Sequence, residues 1–289
     1  MKRVIEPGFV WTDAERGHLV ACGDATNERF ISGLLERTGN KADLALLDPP
    51  YGLSSDAAIT FRGRSDLRLD EEWDRFGGKE GDPDKLLARL LAALTRAAAE
   101  IVTEGNVYIW SSDWWVSHVK RLLRARGLRV WPSYIWAKVN PPPSVRKACL
   151  VSACEFLVMA SRGQHYFDLS AFPRQRNYFV TAPDETKVPM VCADWVERPV
   201  VSKGERVLRA DGSYLNPTQK PLDVTECLVR GACPDGGLVL DLCGGTGTAT
   251  IAADRSGRRA IYVDLDPAHV AATIRRLVED RRTRGEAVA

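Results

Sequence analysis

The sequence predicts an α/β fold with a doubly wound, mostly parallel sheet. Three observations support this prediction: short apolar runs, helical patterns between them, and a glycine-rich turn directly after one of the runs. Runs that are continuously apolar and bounded by turn residues are typical of strands buried on both faces. Seven such runs occupy residues 18–22, 43–47, 106–110, 130–136, 155–160, 238–242 and 260–263. Strands that alternate with helices form a sheet covered on both faces.

Helical patterns separate the predicted strands. The longest covers residues 84–102, a second covers 115–126, and a third begins at Thr248. The longest has one apolar stripe, formed by Leu87, Leu90, Leu91, Leu94, Ala98 and Ile101. A fourth helix is predicted to begin at Pro267, because proline suits the first helical turn and an acid precedes it. Trp114 and Trp115, near the start of the second helix, are expected to pack beneath the sheet.

The composition is typical of a cytoplasmic globular protein. The chain has 289 residues, 45% of them hydrophobic, which is enough for one substantial core with an inserted lobe. No apolar stretch approaches the roughly eighteen residues of a membrane span, and early charges such as Lys2, Arg3 and Glu6 argue against a signal peptide. The seven cysteines are scattered without a C-x-x-C pair, so reduced thiols are expected. The four histidines lack ligand spacing, and no metal site is expected.

The first motif with a chemical interpretation is Asp48, Pro49, Pro50 and Tyr51, directly after an apolar run. An exocyclic base amine is a poor nucleophile because its lone pair is delocalised into the ring, and two acceptors for its N–H groups would free that pair. The Asp48 carboxylate and the Pro49 carbonyl are suited to this role, since the locked φ of proline fixes the carbonyl direction. Tyr51 would stack on an extruded base, a contact worth about 1–3 kcal/mol. The alternative interpretation is a turn that merely ends a strand.

The second motif is a glycine-rich turn that follows the run at 238–242 and opens a helix, the layout of a nucleotide-cofactor site. Its candidate cofactor residues are Asp241, Cys243, Gly244, Gly245, Gly247 and Thr248. Asp264 ends the next run, where an acid can hold ribose hydroxyls. Alone, this pattern fits NAD, FAD or S-adenosylmethionine. No G-x-G-x-x-G spacing is present for a pyrophosphate, and Asp241 is placed for a cationic amino group, so a cofactor without phosphate is favoured.

In this order, the two motifs resemble those of the β group of the N6-adenine/N4-cytosine DNA amino-methyltransferases. That family has its D-P-P-Y motif first, a target-recognition segment next and the cofactor glycines last. Residues 216–221 are similar to the family's H-P-T-Q-K-P, with asparagine at the first place. Gly23 and Asp24 resemble its G-D, and residues 72–74 and 135–138 also fit its patterns. Cys243 stands where the family usually has phenylalanine.

The resemblance implies a fold, a cofactor and partners. The fold is a seven-stranded sheet of the S-adenosylmethionine-dependent methyltransferase type, and the cofactor is S-adenosylmethionine. Asn216, Thr218 and Lys220 would hold its methionine end, and Asp24 would face its adenine. The substrate would be double-stranded DNA, with adenine N6 as the preferred target. A homodimer and a cognate restriction enzyme are what several relatives imply.

An irregular segment at 163–215 falls where the family has its recognition region. It is rich in proline, glycine, arginine and aromatic residues and has no clean helical or strand period; long loops of this kind are usually functional. We therefore expect a catalytic half at 1–162, a target-recognition insertion at 163–215 and a cofactor-binding half at 216–289. Five arginines are offered as DNA contacts: Arg174, Arg176, Arg198, Arg206 and Arg209.

Three other functions are weighed against adenine methylation. N4-cytosine methyltransferases share the architecture but usually carry serine in place of Asp48. RNA and protein-amide methyltransferases share the cofactor turn, and protein-glutamine enzymes usually carry Asn-Pro-Pro-Tyr and lack a T-Q-K-P element. A DNA-binding module without activity would have no need to keep Asp48, the glycine turn and Asp264 together.

Overall fold

The computed structural model describes residues 4–39, 41–51, 83–141, 150–181, 187–191, 193–202 and 204–286. Its strands are β1 Val10–Thr12, β2 Leu19–Cys22, β3 Leu44–Leu47, β4 Gly105–Ser111, β5 Arg129–Val130, β6 Tyr134–Lys138, β7 Cys154–Arg162, β8 Arg174–Thr181, β9 Lys187–Val191, β10 Trp195–Arg198, β11 Leu238–Asp241 and β12 Arg259–Asp264. Its helices are α1 Glu28–Glu36, α2 Pro83–Ile101, α3 Asp113–Ala125, α4 Leu222–Ala232, α5 Thr248–Arg255 and α6 Pro267–Thr283.

The predicted strands form the centre of one mostly parallel sheet. Its order is β1-β2-β12-β11-β3-β4-β7-β6-β10, with β5 paired to β7. The α/β fold class is therefore confirmed, and the seven predicted runs all lie in this sheet. Two short strands, β1 and β10, extend it beyond the predicted seven. The run predicted at 130–136 divides into β5 and β6, because Pro132 between them has no N–H for a ladder.

One strand departs from the predicted direction. β7 is antiparallel to both β4 and β6, with Trp110 opposite Leu157 and Trp136 opposite Glu155. The first residues of β7 therefore lie at the same edge of the sheet as the carboxyl ends of β4 and β6. This reversal brings Glu155 next to residues far from it in the chain.

Helices cover both faces of the sheet. α1, α2 and α3 pack on one face around a core that includes Leu34, Leu94 and Leu123. α4 and α5 pack on the other face around Leu228 and Ala252. The chain leaves β3 toward the first face and leaves β11 toward the second. The crevice between these neighbouring strands is thus a topological switch point, where open α/β sheets bind their ligands.

The predicted helices at 84–102 and at Pro267 are confirmed. At the start of α6 the Asp266 carboxylate accepts a hydrogen bond from the Ala268 N–H, 2.7 Å away, with Pro267 in the first turn. The second helix begins at Asp113, and the prediction for its two tryptophans is half wrong. Trp115 packs against the core, whereas 86% of Trp114 is exposed.

The segment 163–215 contains more regular structure than its composition predicts. β8 and β9 form an antiparallel pair, and β10 joins the edge of the main sheet parallel to β6. A short 3-10 helix at Leu169–Ala171 rests near α4. The part of the segment that forms β10 is therefore continuous with the main sheet.

A buried group of charges ties the residues before β2 to α5 and α6. His18 Nδ1 accepts a hydrogen bond from the Ala260 N–H (3.0 Å), so its proton lies on Nε2, which donates to Asp254 (3.0 Å). Arg281 Nη2 lies 2.5 Å from carboxylate oxygens of both Asp13 and Asp254. Asp13, His18 and Asp254 have the mutual spacing of metal ligands. The protonated Nε2 and the neighbouring guanidinium explain the cluster as an ion-pair network instead.

Among the residues described, no helix is long and apolar enough to cross a membrane.

Candidate active site

A cavity of about 530 Å³ opens at the carboxyl edge of the sheet, over the crevice between β3 and β11. It is lined by all four predicted catalytic residues and by ten of the eleven predicted cofactor residues. The exception is Gly247. This glycine instead begins α5 with a φ of +78°, and a Cβ there would lie 2.4 Å from Thr273. The two motifs that the sequence separates by almost two hundred residues thus share one cavity.

The glycine-rich turn is held tightly from below. A Cβ on Gly244 would lie 2.0 Å from the buried ring of Tyr262, and Gly245 has a φ of +49°, which favours glycine. The Tyr262 hydroxyl donates a hydrogen bond to the Gly245 carbonyl at 2.7 Å. These contacts explain why the turn requires glycine at both positions and why its backbone faces the cavity.

Asp264 anchors the turn to the end of β12. Its Oδ2 accepts a hydrogen bond from the Gly245 N–H at 2.7 Å, and its Oδ1 accepts one from the Asp266 N–H at 2.8 Å. His269 Nδ1 lies 3.2 Å from the same Oδ1. Although burial acts to lower it, the Asp264 carboxylate raises the pKa of His269 above its ordinary value. His269 lines the cavity and was missed by the sequence analysis, because it lies in the first turn of a predicted helix and belongs to neither motif.

Asp241 is a buried acid at the end of β11. Burial raises its pKa to about 8, because the one backbone N–H that it accepts from, that of Cys243 at 3.2 Å, does not offset the loss of water. The negative charges of Asp48 and Asp264 add to the shift. A ligand cation beside Asp241 would reverse this effect.

Asn216 lies directly above the glycine turn. Its Oδ1 accepts hydrogen bonds from the N–H and the hydroxyl of Thr218, at 2.9 and 2.8 Å, and its Nδ2 is the atom that a Cβ on Gly245 would meet. Both residues line the cavity. Asp24 also lines the cavity, and its Oδ1 accepts hydrogen bonds from the N–H and hydroxyl of Thr26.

Lys220 contacts the catalytic motif. Its Nζ lies 2.6 Å from Asp48 Oδ2 and 3.1 Å from Glu155 Oε2, and its side chain is only 5% exposed. The resemblance places this lysine at the methionine end of the cofactor. The structure places it in the cavity that the glycine turn also lines, against the carboxylate that the sequence predicts to accept from the target amine.

Tyr51 completes this group of side chains. Its hydroxyl lies 3.0 Å from Asp48 Oδ1 and 3.2 Å from Glu155 Oε2. Burial raises the pKa of Asp48 above its ordinary value; Lys220 opposes the shift and Glu155 adds to it. The sequence analysis missed Glu155 as a site residue. The signal was present, since this acid begins an otherwise apolar run, but its partners are far away in the chain.

The three predicted DNA contacts whose side chains the structure describes, Arg198, Arg206 and Arg209, do not line the cavity. Arg206 donates to the Pro217 carbonyl at 2.7 Å, and Arg209 donates to the Tyr214 carbonyl at 2.8 Å, so both hold the loop before residue 220. Arg198 is 38% exposed and pairs with Asp223 at 2.6 Å. Arg174 and Arg176 belong to β8, and their side chains lie outside the described residues, as do residues 72–74.

Comparison with known proteins identifies the family. A family model for a DNA methylase, of the N6/N4 methyltransferase type, matches residues 42–275. The chain belongs to the N6/N4 DNA methylase family. This match covers both motifs and the segment between them. It confirms DNA as the substrate class and S-adenosylmethionine as the cofactor expected from the sequence.

Curated relatives are Type II methyltransferases. M2.DpnII of Streptococcus pneumoniae is 25% identical over 247 residues, which cover 83% of this chain and 84% of the relative. M2.MboI of Moraxella bovis is 23% identical over 232 residues, 78% of this chain and 77% of the relative. These alignments span most of both proteins, so the methylase resembles them over most of its length.

Solved structures share the fold. M1.HpyAVI, solved as a complex with S-adenosylmethionine, has a TM-score of 0.58 and 18% identity, covering 89% of this chain and 97% of that chain. The PvuII DNA methyltransferase, described as cytosine-N4-specific, has a TM-score of 0.62 and 14% identity, covering 98% and 96%. Because a cytosine enzyme shares the fold, the target base must be argued from the site.

Proposed function

We propose that this methylase transfers a methyl group from S-adenosylmethionine to the N6 amine of an adenine extruded from duplex DNA. The observation that supports the proposal most strongly is the shared cavity. The Asp48 carboxylate and the glycine-rich turn line the same space, at the switch point between β3 and β11. A cofactor held by the turn and a base held by the motif would therefore meet.

The residues of the turn fit S-adenosylmethionine. The cavity volume of about 530 Å³ lies in the range of small-molecule sites. Gly244 and Gly245 leave room where side chains would collide with Tyr262 and Asn216. The buried Asp241 carboxyl suits a cationic amino group, since ionising it beside a cation relieves the cost of its burial. Asp264 and Asp24 offer carboxylates to hydroxyl and amine donors of the nucleoside part.

The chain's own residues activate the amine. When bound, S-adenosylmethionine supplies an electrophilic methyl group. The Asp48 carboxylate and the Pro49 carbonyl accept hydrogen bonds from the two N–H groups of the amine and so localise the nitrogen lone pair. Asp48 is held for this role from two sides, because Tyr51 donates to it and Lys220 pairs with it. The Tyr51 ring offers a stacking face for the base.

Adenine is favoured over cytosine by Asp48 itself. The family resemblance associates an acid at this position with N6-adenine methylation and serine with N4-cytosine methylation. A carboxylate paired with Lys220 is a stronger acceptor than a hydroxyl. The fold does not distinguish adenine from cytosine as the target base, so the methylated base in the product must be identified.

We further propose that the segment 163–215 recognises the target sequence. Its β8 and β9 pair stands apart from the main sheet, while β10 fixes the segment to the catalytic edge. Of the proposed DNA contacts with described side chains, Arg198 is the candidate for a phosphate contact. Its guanidinium pairs with Asp223 at the surface, and a phosphate can replace that carboxylate. A homodimer, a cognate restriction enzyme and a cytoplasmic location remain predictions from the sequence.

Digestion of a methylated DNA to nucleosides tests the proposal. Plasmid DNA from a host without DNA methylation is incubated with the protein and isotope-labelled S-adenosylmethionine, and the labelled nucleosides are separated by mass spectrometry. We expect labelled N6-methyladenine. Labelled N4-methylcytosine would replace the adenine assignment with the cytosine alternative.

A further inference from the structure

Glu155 is a buried acid that no motif of the site includes. It is the second residue of β7, and its side chain is only 13% exposed. Its Oε1 lies 2.7 Å from Lys138 Nζ, and its Oε2 lies 3.1 Å from Lys220 Nζ and 3.2 Å from the Tyr51 hydroxyl. Each of these partners comes from a different part of the chain. Three contacts with separate parts of the chain therefore fix the position of this carboxylate.

The charges around Glu155 form a chain of alternating sign. Lys138 contacts Glu155, Glu155 contacts Lys220, and Lys220 contacts Asp48. Two ammonium groups and two carboxylates balance, so the group is neutral as a whole. One ammonium, that of Lys220, is shared between two carboxylates, and the division of its charge decides how negative Asp48 remains.

We propose that Glu155 is a positioning residue for methyl transfer: by sharing the Lys220 ammonium with Asp48, it prevents Lys220 from fully neutralising the carboxylate that accepts the target amine. The inference rests on the proposed role of Asp48 in amine activation. Methyl transfer moves positive charge onto the amine nitrogen, so an acceptor that keeps its negative charge stabilises the transition state more than the ground state. Glu155 acts only through Lys220 and Tyr51 and contacts no substrate.

The electrostatics of the neighbouring groups agree with this role. Glu155 acts to raise the pKa of Asp48, which makes Asp48 a more basic acceptor. Although burial acts to raise it, the ammonium groups of Lys220 and Lys138 hold the pKa of Glu155 below its ordinary value, so Glu155 stays charged. Among the described residues, the buried Asp241 also interacts with Asp48 through its charge.

Glu155→Gln and Lys138→Gln test the proposal with opposite signs. In Glu155→Gln the Lys220 ammonium belongs to Asp48 alone, so the pKa of Asp48 falls. We expect single-turnover methyl transfer at its plateau to drop by about tenfold, and the acidic limb of the pH profile to move to lower pH. In Lys138→Gln the Glu155 charge acts more strongly on Lys220, and the acidic limb should move to higher pH. Glu36→Gln, an exposed acid on α1, removes the same charge elsewhere and should leave rate and limb unchanged.

Methyl transfer is measured on unmethylated plasmid DNA with saturating labelled S-adenosylmethionine, for wild type and variants alike. A Glu155→Gln protein whose acidic limb coincides with that of wild type would overturn the proposal, as would Lys138→Gln moving the limb to lower pH. If Glu155→Gln does not fold, the Lys138→Gln profile decides alone. The labelled product of the wild-type reaction is identified in the same samples. A cytosine product would refute the adenine assignment while the limb shifts still judge Glu155.

Discussion

Lys220 Nζ lies 2.6 Å from Asp48 Oδ2, although 172 positions separate the two residues in the chain. The contact joins the T-Q-K-P element to the D-P-P-Y motif in the cavity that both of them line. Lys220 is therefore placed to act on the proposed amine acceptor as well as on the cofactor that the resemblance assigns to it.

Replacing Lys220 separates these two roles. In Lys220→Met, Asp48 and Glu155 become neighbouring buried carboxylates without a cation, so the pKa of Asp48 rises and its ionised form is lost at neutral pH. We expect methyl transfer to fall by about 10²-fold and the affinity for S-adenosylmethionine, measured by calorimetry, to change little. Lys41→Met, an exposed lysine before β3, is the control. Weak cofactor binding together with normal methyl transfer at saturating cofactor would show that Lys220 binds the cofactor and does not act on Asp48.

The glycine turn gives a prediction with a matched control. Gly245→Ala places a Cβ 2.6 Å from Asn216 Nδ2, whereas Gly257→Ala, at a similar φ of +72°, meets nothing within 4 Å. Both variants should lose about 1–2 kcal/mol of stability from the left-handed backbone. Only Gly245→Ala should also weaken S-adenosylmethionine binding in calorimetry, because Asn216 must move. Equal cofactor affinities in the two folded variants would remove the turn from the cofactor site.

Asp241 predicts a pH dependence of stability. Its pKa is raised from 3.8 to about 8 in the folded protein, so between these values the folded state binds a proton that the unfolded state has released. The free energy of unfolding contributed by this group therefore falls as pH rises through that window. Asp241→Asn cannot ionise at this position, so it avoids this loss of stability. The melting temperature of the variant minus that of wild type should therefore be larger at about pH 8 than at about pH 5. The same difference at both values would contradict the assignment.

DNA binding tests the arginines proposed as DNA contacts. If Arg198 contacts a phosphate as proposed, Arg198→Gln removes that contact, and the slope of log affinity against log salt should shrink by about 0.9. Arg206→Gln should leave the slope unchanged, because that guanidinium is bound to the carbonyl oxygens of Asn216 and Pro217. Filter binding of plasmid fragments at several salt concentrations measures both. Identical slopes for Arg198→Gln and wild type would place the phosphate contacts elsewhere.

The central strands and both motifs could be predicted because their signals are local. A continuous apolar run followed by D-P-P-Y or by glycines identifies β3 and β11 without any knowledge of the fold. The direction of β7 could not be predicted, because a buried run has the same composition in either orientation. α1 was missed because nine residues give too short a pattern, although Asn27 caps it by accepting from the Phe30 N–H.

The contacts among the charged residues around Asp48 depend on the pairing of strands, which no local sequence pattern contains. Glu155 reaches Tyr51 only because β7 runs antiparallel beside β4, which brings together residues 104 positions apart. The opposite surprise is Trp114, which composition assigns to the core and the structure leaves exposed. Trp114 lies in the first turn of α3, beyond the end of β4. Of the two tryptophans, Trp115 is the one that packs against the core.

The direct test of the mechanism is single-turnover methyl transfer by Asp48 and Tyr51 variants, with saturating cofactor and unmethylated plasmid DNA. Asp48→Asn keeps the shape and one acceptor oxygen but removes the charge, and we expect a loss of about 10²-fold or more. Asp48→Ala should lose most of the remaining transfer while its affinity for S-adenosylmethionine stays nearly intact. Tyr51→Phe should lose less than Tyr51→Ala, because it keeps the stacking ring and gives up only the hydroxyl that lies within hydrogen-bond distance of Asp48 and Glu155. Wild-type transfer by a folded Asp48→Ala protein would contradict the assignment of Asp48 as the acceptor that activates the amine.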